Sequence, residues 1–423
     1  MAATTEAAGL PVAATSAARG KHLAYVDGAR AVAALYVAFH HSWAIVSSST
    51  VRPSPLPLVA QLYGIVGYGR WAVSAFIAIS GFSLMLPIVR GDGQLSGGVL
   101  TFFKRRARRI LPPYYFSMAF VLVLIWLLIG HHTGTSWDAS LPVSKQSLLG
   151  HFLLLQDVAR NGMYTINGVF WSIAIEWHIY FFFPVLVLLA RRLSVAVTML
   201  CAAVAAYAAS MVLLVVHVPG YLSYLPDRLS LIVDYLGLFA LGMLAAQIAY
   251  SSKPAWQAVR RKVPWGLVAL AAFIGLVGIF AFVSAGGGVT QQNTINADVL
   301  TALFTLALFI AAARSSRSLA ALALGWKPLA KVGTFSYSIY LIHAPVIAVV
   351  YLYLVRPYLM PAFNLGYPSA VVVLMVIAIP FAVGVSYVFF LFCERPFLNK
   401  PRASNSPRVP DAQPASAVIV QAG

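Results

Sequence analysis

The chain has few charged residues and very few cysteines. Asp, Glu, Lys and Arg make up 9% of its 423 residues, hydrophobic residues make up 61%, and the mean hydropathy is +0.83. This composition lies far outside that of soluble globular domains. The two cysteines, Cys201 and Cys393, exclude a disulfide framework, and no Cys/His cluster has zinc-site spacing. We therefore expect a membrane protein without a metal site.

Ten apolar stretches are long enough to cross a lipid bilayer as helices. Breaks at Pro, Gly and charged residues place them near 29–48, 62–89, 113–130, 169–190, 195–217, 229–250, 264–283, 297–313, 335–355 and 369–393. The predicted fold class is all-α, a polytopic membrane bundle of about ten transmembrane helices.

Basic residues alternate between the two sides of these spans. With the amino end inside the cell, the cytosolic segments hold 23 Lys and Arg residues and the external loops hold 5. Residues 1–28 show no pattern of a cleavable signal peptide. The positive-inside rule thus predicts a multi-pass protein of the cell membrane with both termini cytosolic. The net charge of +18 reflects this topology, and we expect no nucleic-acid partner.

We expect one membrane domain, residues 22–398, between disordered cytosolic segments at 1–21 and 399–423. The second of these segments is rich in Pro, Ser and Ala and lacks helical amphipathicity. The longest external connection, residues 131–168, has two interpretations. It either caps an outward-facing pocket or forms a solvated loop with a short amphipathic helix.

The first span places a histidine and an arginine on one helix face. His41 follows Arg30 by 11 residues, which puts the two side chains nearly in line and about 16 Å apart. His40 misses this face by about 80°. We therefore predict that His41 is the functional histidine and that Arg30 faces a cationic entrance.

Charges within spans are costly and usually mark a reaction centre or a pathway. Glu176 in the fourth span is predicted to lie about as deep as His41, roughly 10 Å below the outer surface, so it could orient the imidazole for general-base catalysis. Each residue has an alternative role as a buried polar group bonded to another helix. Arg70 is predicted to lie about 12 Å below the same surface, with Glu176 or a substrate anion as its partner.

Four further side chains are candidates for substrate binding. Trp171 and Tyr180 lie on the same span as Glu176. His343 lies near mid-membrane in the ninth span, and Tyr340 precedes it by one turn. His343 either binds the substrate or braces the helices.

A basic cluster precedes the third span in the sequence FFKRRARRILPPYY. It contains Lys104, Arg105, Arg106, Arg108 and Arg109. Ordinary positive-inside anchoring is one explanation, and binding of a polyanion is the other, because arginine offers forked donors to phosphate. A basic inner mouth with a buried histidine beyond it suits acyl-coenzyme A, whose pantetheine arm is roughly as long as the separation of about 16 Å between Arg30 and His41.

These motifs resemble the acyltransferase-3 family of integral membrane acyltransferases over most of residues 22–398. The first span resembles the family opening in which an Arg is followed, ten intervening residues later, by a His, here Arg30 and His41. Similar motifs follow in family order: FIAISGFSLM, KRRARRILPPYY, VFWSIAIEWHIYFFFP, YSIYLIHAP and ERPF. The chain departs from the commonest pattern at Ser74, where many members carry an acidic residue, and at Trp177 and His178 after Glu176.

The resemblance implies an O-acyltransferase that uses cytosolic acyl-CoA, most commonly acetyl-CoA. The acceptor it implies is a sugar hydroxyl of a surface polysaccharide, a glycolipid or a glycosylated metabolite. His41 would act as base or as transient acyl carrier, with Arg30, Arg105, Arg106, Arg108 and Arg109 at the donor. The alternative is a proton-coupled transporter or flippase built on the same buried groups, although the sequence shows no internal repeat.

Overall fold

The computed structural model describes residues 23–49, 66–283 and 289–398. Within these ranges no strand is present, and ten helices are long and apolar enough to span a membrane. Numbered α1 to α10, they are Ala24–Ser48, Arg70–Arg90, Gly98–Ile129, Trp171–Arg192, Val195–Val215, Gly220–Tyr250, Trp265–Phe282, Gln291–Arg314, Ser336–Ala362 and Tyr367–Phe397. The predicted all-α bundle of about ten spans is confirmed. The segments 1–21 and 399–423 lie outside the described residues.

The predicted starts of α3 and α2 are wrong, and both changes affect candidate residues. Helix α3 begins at Gly98, well before residue 113, and runs through Pro112 and Pro113. Packing against neighbouring helices allows a membrane helix to run through proline, and α3 contacts α9 here, where the Tyr337 hydroxyl donates to the carbonyl of Ile110. The basic cluster therefore lies within α3 rather than before it.

The second predicted span, 62–89, was also wrong at its start, of which residues 62–65 lie outside the described residues. Residues 67–69 form a turn, and the described part of α2 begins at Arg70. A side chain on Gly69 would meet the His40 ring at 2.4 Å, so this turn depends on glycine for its close approach to α1. Arg70 consequently lies in the first turn of α2, where the helix begins, and not deep within the helix.

The helices alternate in direction, so that their ends form two faces. We call the face on which α1 begins and α10 ends the amino-terminal face. The opposite face, which carries residues 130–170, is called the loop face. That the amino-terminal face is cytosolic stays a prediction from the distribution of basic residues.

Helices α2 and α6 pack backbone to backbone. A Cβ on Gly81 would lie 2.1 Å from the carbonyl oxygen of Phe239, and a Cβ on Gly242 would lie 2.1 Å from that of Ala78. Small residues permit this close approach in membrane bundles, where dispersion contacts must replace the hydrophobic effect as the source of cohesion. The α2–α6 pair forms a rigid wall beside the centre of the molecule.

Helix α9 is the most buried of the ten spans and packs against α1, α3 and α10. A side chain from another helix caps its amino-terminal end. Glu394, in α10, accepts hydrogen bonds from the hydroxyl of Ser338 at 2.5 Å and from its backbone N–H at 3.2 Å. A carboxylate is favourable there because the first N–H groups of a helix carry partial positive charge. The ERPF motif thus fixes the position of α9.

Candidate active site

A cavity of about 320 Å³ opens at the loop face between α1, α2, α4 and α9. We call it the loop-face cavity. His41 lies on its wall, together with three of the other predicted residues: Arg70, Trp171 and Tyr340. Side chains from four helices therefore meet around one space.

His41 lies beside a second imidazole. The ring centroids of His41 and His343 are 5.1 Å apart, with 57° between the ring planes. His343 is completely buried, and its Nδ1 lies 2.9 Å from the carbonyl oxygen of Ile339. His40 also lines this cavity, and its Nδ1 bonds to the carbonyl oxygen of Val66 at 3.0 Å. Both adjacent histidines therefore reach the cavity, and His41 is the one whose ring lies beside His343.

A second cavity of about 250 Å³ lies towards the amino-terminal face. We call it the amino-face cavity. Three arginines line it: Arg30, Arg106 and Arg109. Arg30 is held by Asp27 at 3.1 Å and by Ser83 at 2.8 Å. This cavity therefore concentrates positive charge at the end of the molecule where the sequence analysis placed a cationic entrance.

The predicted arginine cluster divides between the cavity and the surface. Arg106 and Arg109 line the amino-face cavity, whereas Arg105 and Arg108 do not. Arg105 donates to the carbonyl oxygen of Ser96 at 3.3 Å, and Arg108 is exposed. Helical periodicity explains this division, because neighbouring positions on α3 point in different directions.

Glu176 lies in the amino-face cavity and not in the loop-face cavity with His41. Its Oε1 accepts hydrogen bonds from Ser80 at 2.7 Å and from Tyr180 at 2.5 Å. The structure does not bring Glu176 and His41 together, since the two side chains line different cavities. In its present position Glu176 places a carboxylate among the three arginines.

Tyr340 and Val73 line both cavities and form the wall between them. The hydroxyl of Tyr340 bonds to Ser172 at 2.6 Å and donates to the carbonyl oxygen of Val169 at 3.2 Å. Its ring packs edge to face against Phe76, with centroids 5.6 Å apart. The two cavities are therefore adjacent, and an aromatic side chain held by hydrogen bonds lies between them.

Of the two partners expected for Arg70, Glu176 was wrong, and a substrate anion stays a prediction. Its Nη2 lies 2.6 Å from Asp298 and 3.5 Å from Asp234, and Ser74 donates to Asp298 at 2.5 Å. Both aspartates are buried. Glu176 is not the counter-ion because Arg70 sits in the first turn of α2, next to the loop-face ends of α6 and α8. We call Arg70, Asp234 and Asp298 the buried ion cluster.

Asp298 was missed by the sequence analysis, although a signal for it existed. It lies inside the predicted span 297–313, and a carboxylate at such a position requires a partner. The departure at Ser74 has a structural counterpart, since the Ser74 hydroxyl binds the carboxylate that α8 supplies. One arginine cannot neutralise two carboxylates, so this cluster holds either an additional proton or one net negative charge.

Residues 130–170 form a roof over the loop-face cavity. Trp137 and Tyr164 line the cavity, and Trp137 donates through Nε1 to the carbonyl oxygen of Ile129 at 2.9 Å. Asn167 is completely buried and donates to the carbonyl oxygen of Leu341 at 2.9 Å. Of the two interpretations of this segment, the cap over a pocket is the one that the structure supports.

Acidification is expected to loosen this roof through His151. This histidine, on the roof helix Lys145–Phe152, is completely buried, and burial lowers its pKa. The contribution of the neutral imidazole to the stability of the roof is complete above the ordinary pKa of histidine. It is lost as the pH falls below that value and through the lowered pKa of the folded state. Hydrogen exchange of residues 145–170, corrected for intrinsic rates, should therefore be faster at about pH 5.5 than at about pH 7.5.

The matched control for this prediction is His151→Gln, which should show no such acceleration over the same pH interval. Equal acceleration in the variant would assign the pH dependence to another group. The exposed His131 offers a second control, since its replacement should leave the pH dependence of the roof intact.

The residues around both cavities fall within one family match. A model described as an acyltransferase domain matches residues 23–390, which is nearly the whole chain. The chain belongs to the acyltransferase-3 family. The comparison with curated proteins finds no match, and neither does the comparison with solved structures.

Membership of the acyltransferase-3 family makes this protein a membrane acyltransferase. The matched region includes α1 to α9 and most of α10, so it covers both cavities, the wall at Tyr340 and the roof. The matched region also contains Arg30 and His41, which the structure places in neighbouring cavities.

Proposed function

We propose that this protein transfers an acyl group, most simply acetyl, from acyl-CoA to a hydroxyl of a sugar-containing acceptor. The observation that carries the proposal is the pair of adjacent cavities, one lined by three arginines and the other by His41. A donor with a phosphorylated head and a long reactive arm would occupy both cavities. The head would bind Arg30, Arg106 and Arg109, and the arm would extend past Tyr340.

The length of α1 is consistent with this donor. Arg30 and His41 lie on the same continuous helix, which separates them by about 16 Å along its axis. A pantetheine arm is of similar length. With the amino-terminal face towards the cytosol, the coenzyme would stay on the side where it is made, and its thioester would reach the imidazole near the opposite face.

The acceptor would enter through the loop-face cavity beneath the roof. Aromatic side chains there, Trp137, Tyr164 and Trp171, offer surfaces for a sugar ring, while Arg70 offers a hydrogen-bond donor. His41 would then take the proton of the acceptor hydroxyl as its oxygen attacks the thioester carbonyl. Alternatively, His41 would itself accept the acyl group and pass it on. In both routes the carbon–sulfur bond breaks and the coenzyme leaves as its thiol.

The direct test is incubation of the purified protein with acyl-CoA that is radiolabelled in the acyl group. Transfer of label to an added glycan or glycolipid acceptor, or slow hydrolysis when no acceptor is present, would support the proposal. If neither transfer nor hydrolysis occurs, and a labelled substrate or protons instead cross the membrane of sealed proteoliposomes, the transporter alternative is favoured.

Replacement of Arg106 by Ala is expected to raise KM for acyl-CoA about 10- to 100-fold, which corresponds to the loss of one charge-assisted hydrogen bond to phosphate. The matched variant is Arg108→Ala, which removes the same charge from the same helix at an exposed position outside the cavity. We expect a much smaller change there. Steady-state kinetics with varied acyl-CoA measures both. Equal effects of the two variants would indicate general attraction by the basic surface rather than binding in the cavity.

A further inference from the structure

The orientation of His343 defines the roles of its two ring nitrogens. Its Nδ1 lies 2.9 Å from the carbonyl oxygen of Ile339, one turn earlier in α9. A carbonyl oxygen only accepts hydrogen bonds, so Nδ1 must carry the proton. In the neutral ring, Nε2 then has a lone pair and can act only as an acceptor. A charged ring would be costly at this position, because the side chain is completely buried.

The lone pair of His343 has no partner within the described part of the chain. Its Nε2 is buried and makes no hydrogen bond there. Tyr340 is near, with ring centroids 6.0 Å apart, but its hydroxyl is already engaged with Ser172 and with Val169. An unsatisfied buried acceptor of this kind costs free energy, and the ring that carries it lies directly beside the ring of His41.

The separation of the two imidazoles fits a hydrogen bond between them. Two imidazole rings joined by an N–H···N bond have centroids roughly 5 Å apart, given an N···N distance near 2.9 Å. The observed centroid separation of His41 and His343 is 5.1 Å. Catalytic hydrogen bonds often tighten only when the reactants are bound, so a small rotation of the His41 ring would be sufficient to form this one.

We propose that His343 is the positioning residue for His41, accepting a hydrogen bond from one nitrogen of that imidazole and thereby directing the other nitrogen, with its lone pair, at the acceptor hydroxyl. This inference rests on the proposed acyl transfer. It assigns to a second histidine the role that the sequence analysis gave to Glu176, which lies in the other cavity.

The proton balance of the reaction is complete with these two residues. The acceptor hydroxyl gives its proton to His41 as its oxygen bonds to the thioester carbonyl carbon. His343 accepts a hydrogen bond from the resulting imidazolium, which a neutral ring with a free lone pair stabilises. When the carbon–sulfur bond breaks, the same proton passes from His41 to the departing thiolate. His343 itself keeps its Nδ1 proton throughout.

The test compares two replacements of His343 in the full-length protein. His343→Phe keeps an aromatic ring but removes the acceptor, and we expect kcat to fall roughly 10- to 100-fold with little change in KM for acyl-CoA. His343→Gln can present an amide oxygen in place of Nε2, and we expect it to recover most of that loss. A merely structural role would not distinguish the two variants in this way.

A double-mutant cycle between His41 and His343 gives a second, independent measure of the coupling between the two residues. In the His41→Ala background, His343→Phe should cause no further loss of the residual rate, because the group that it positions is already absent. If His343→Phe fails to fold, His343→Leu takes its place in the cycle. Thermal unfolding of each variant shows whether it is folded.

Three results would overturn the inference while the wild-type protein still transfers acyl groups. They are an unchanged kcat in His343→Phe, equal losses in the Phe and Gln variants, and a further loss in the His41→Ala background. A loss reproduced by His40→Gln and absent from His343→Phe would assign the role to His40, whose ring centroid lies 5.2 Å from that of His41. Absence of transfer by the wild-type protein would instead reject the proposed function.

Discussion

Replacement of His41 by Ala is expected to abolish acyl transfer, with a loss of about 100- to 10,000-fold if the imidazole acts as a general base. The side chain lies on the wall of the loop-face cavity, so its removal leaves a space that water or solute can fill. We therefore expect the variant to fold normally. The measurement is turnover of labelled acyl-CoA, combined with size-exclusion chromatography of the purified variant.

His217 provides the matched control for this experiment. It is exposed at the end of α5, away from both cavities, and bonds only to the nearby carbonyl oxygen of Val215 among the described residues. His217→Ala should retain wild-type turnover. Normal turnover by His41→Ala would contradict the assignment, and trapping of a labelled acyl group on wild-type protein but not on this variant would distinguish the acyl-carrier route from the general-base route.

Replacement of Asp298 by Leu is expected to destabilise the protein by about 3–5 kcal/mol, because it leaves the Arg70 guanidinium without its main counter-ion. Asp298 binds Arg70 through both Nε at 2.7 Å and Nη2 at 2.6 Å, and it also accepts from Ser74. Asp234 lies farther from Arg70, at 3.5 Å, and cannot replace these contacts. Thermal unfolding in detergent, followed by denaturant titration, measures the loss.

The informative comparison is the triple variant Arg70→Met with Asp234→Asn and Asp298→Leu. Removing all three charges of the cluster is expected to restore much of the stability, since apolar and neutral side chains do not need a counter-ion as buried ions do. Asp92→Asn, at an exposed position, should change stability little. If the single and triple variants were equally unstable, the cost would come from packing around α8 and not from an unpaired charge.

The number of helices and their approximate positions were predictable from hydropathy, since only helices or closed barrels can cross a bilayer. The residues at which α2 and α3 begin were not predictable in this way. At α3 the prolines at 112 and 113 indicated a break, but the helix continues through them where it packs against α9, in a contact that includes the bond from Tyr337 to Ile110. A local pattern does not reveal which distant residue will supply such a contact.

The candidate site was partly predictable for the same reason. The spacing of Arg30 and His41 depends only on the geometry of one helix, and the structure places both residues as that geometry requires. The partners of Arg70 and Glu176 depend on which helices are neighbours, and Asp298 is separated from Arg70 by 228 residues. Depth within the membrane alone could not pair these charges correctly.

The wall at Tyr340 has a consequence for the cell as well as for catalysis. A polar passage that runs through a bilayer without interruption conducts protons and ions, and so dissipates the electrochemical gradient that the membrane maintains. Here Phe76 and Tyr340 pack together between the two polar spaces, so neither space extends through the whole molecule. Under the proposed function, a thioester would then be passed from one aqueous compartment towards the other while the membrane stays sealed.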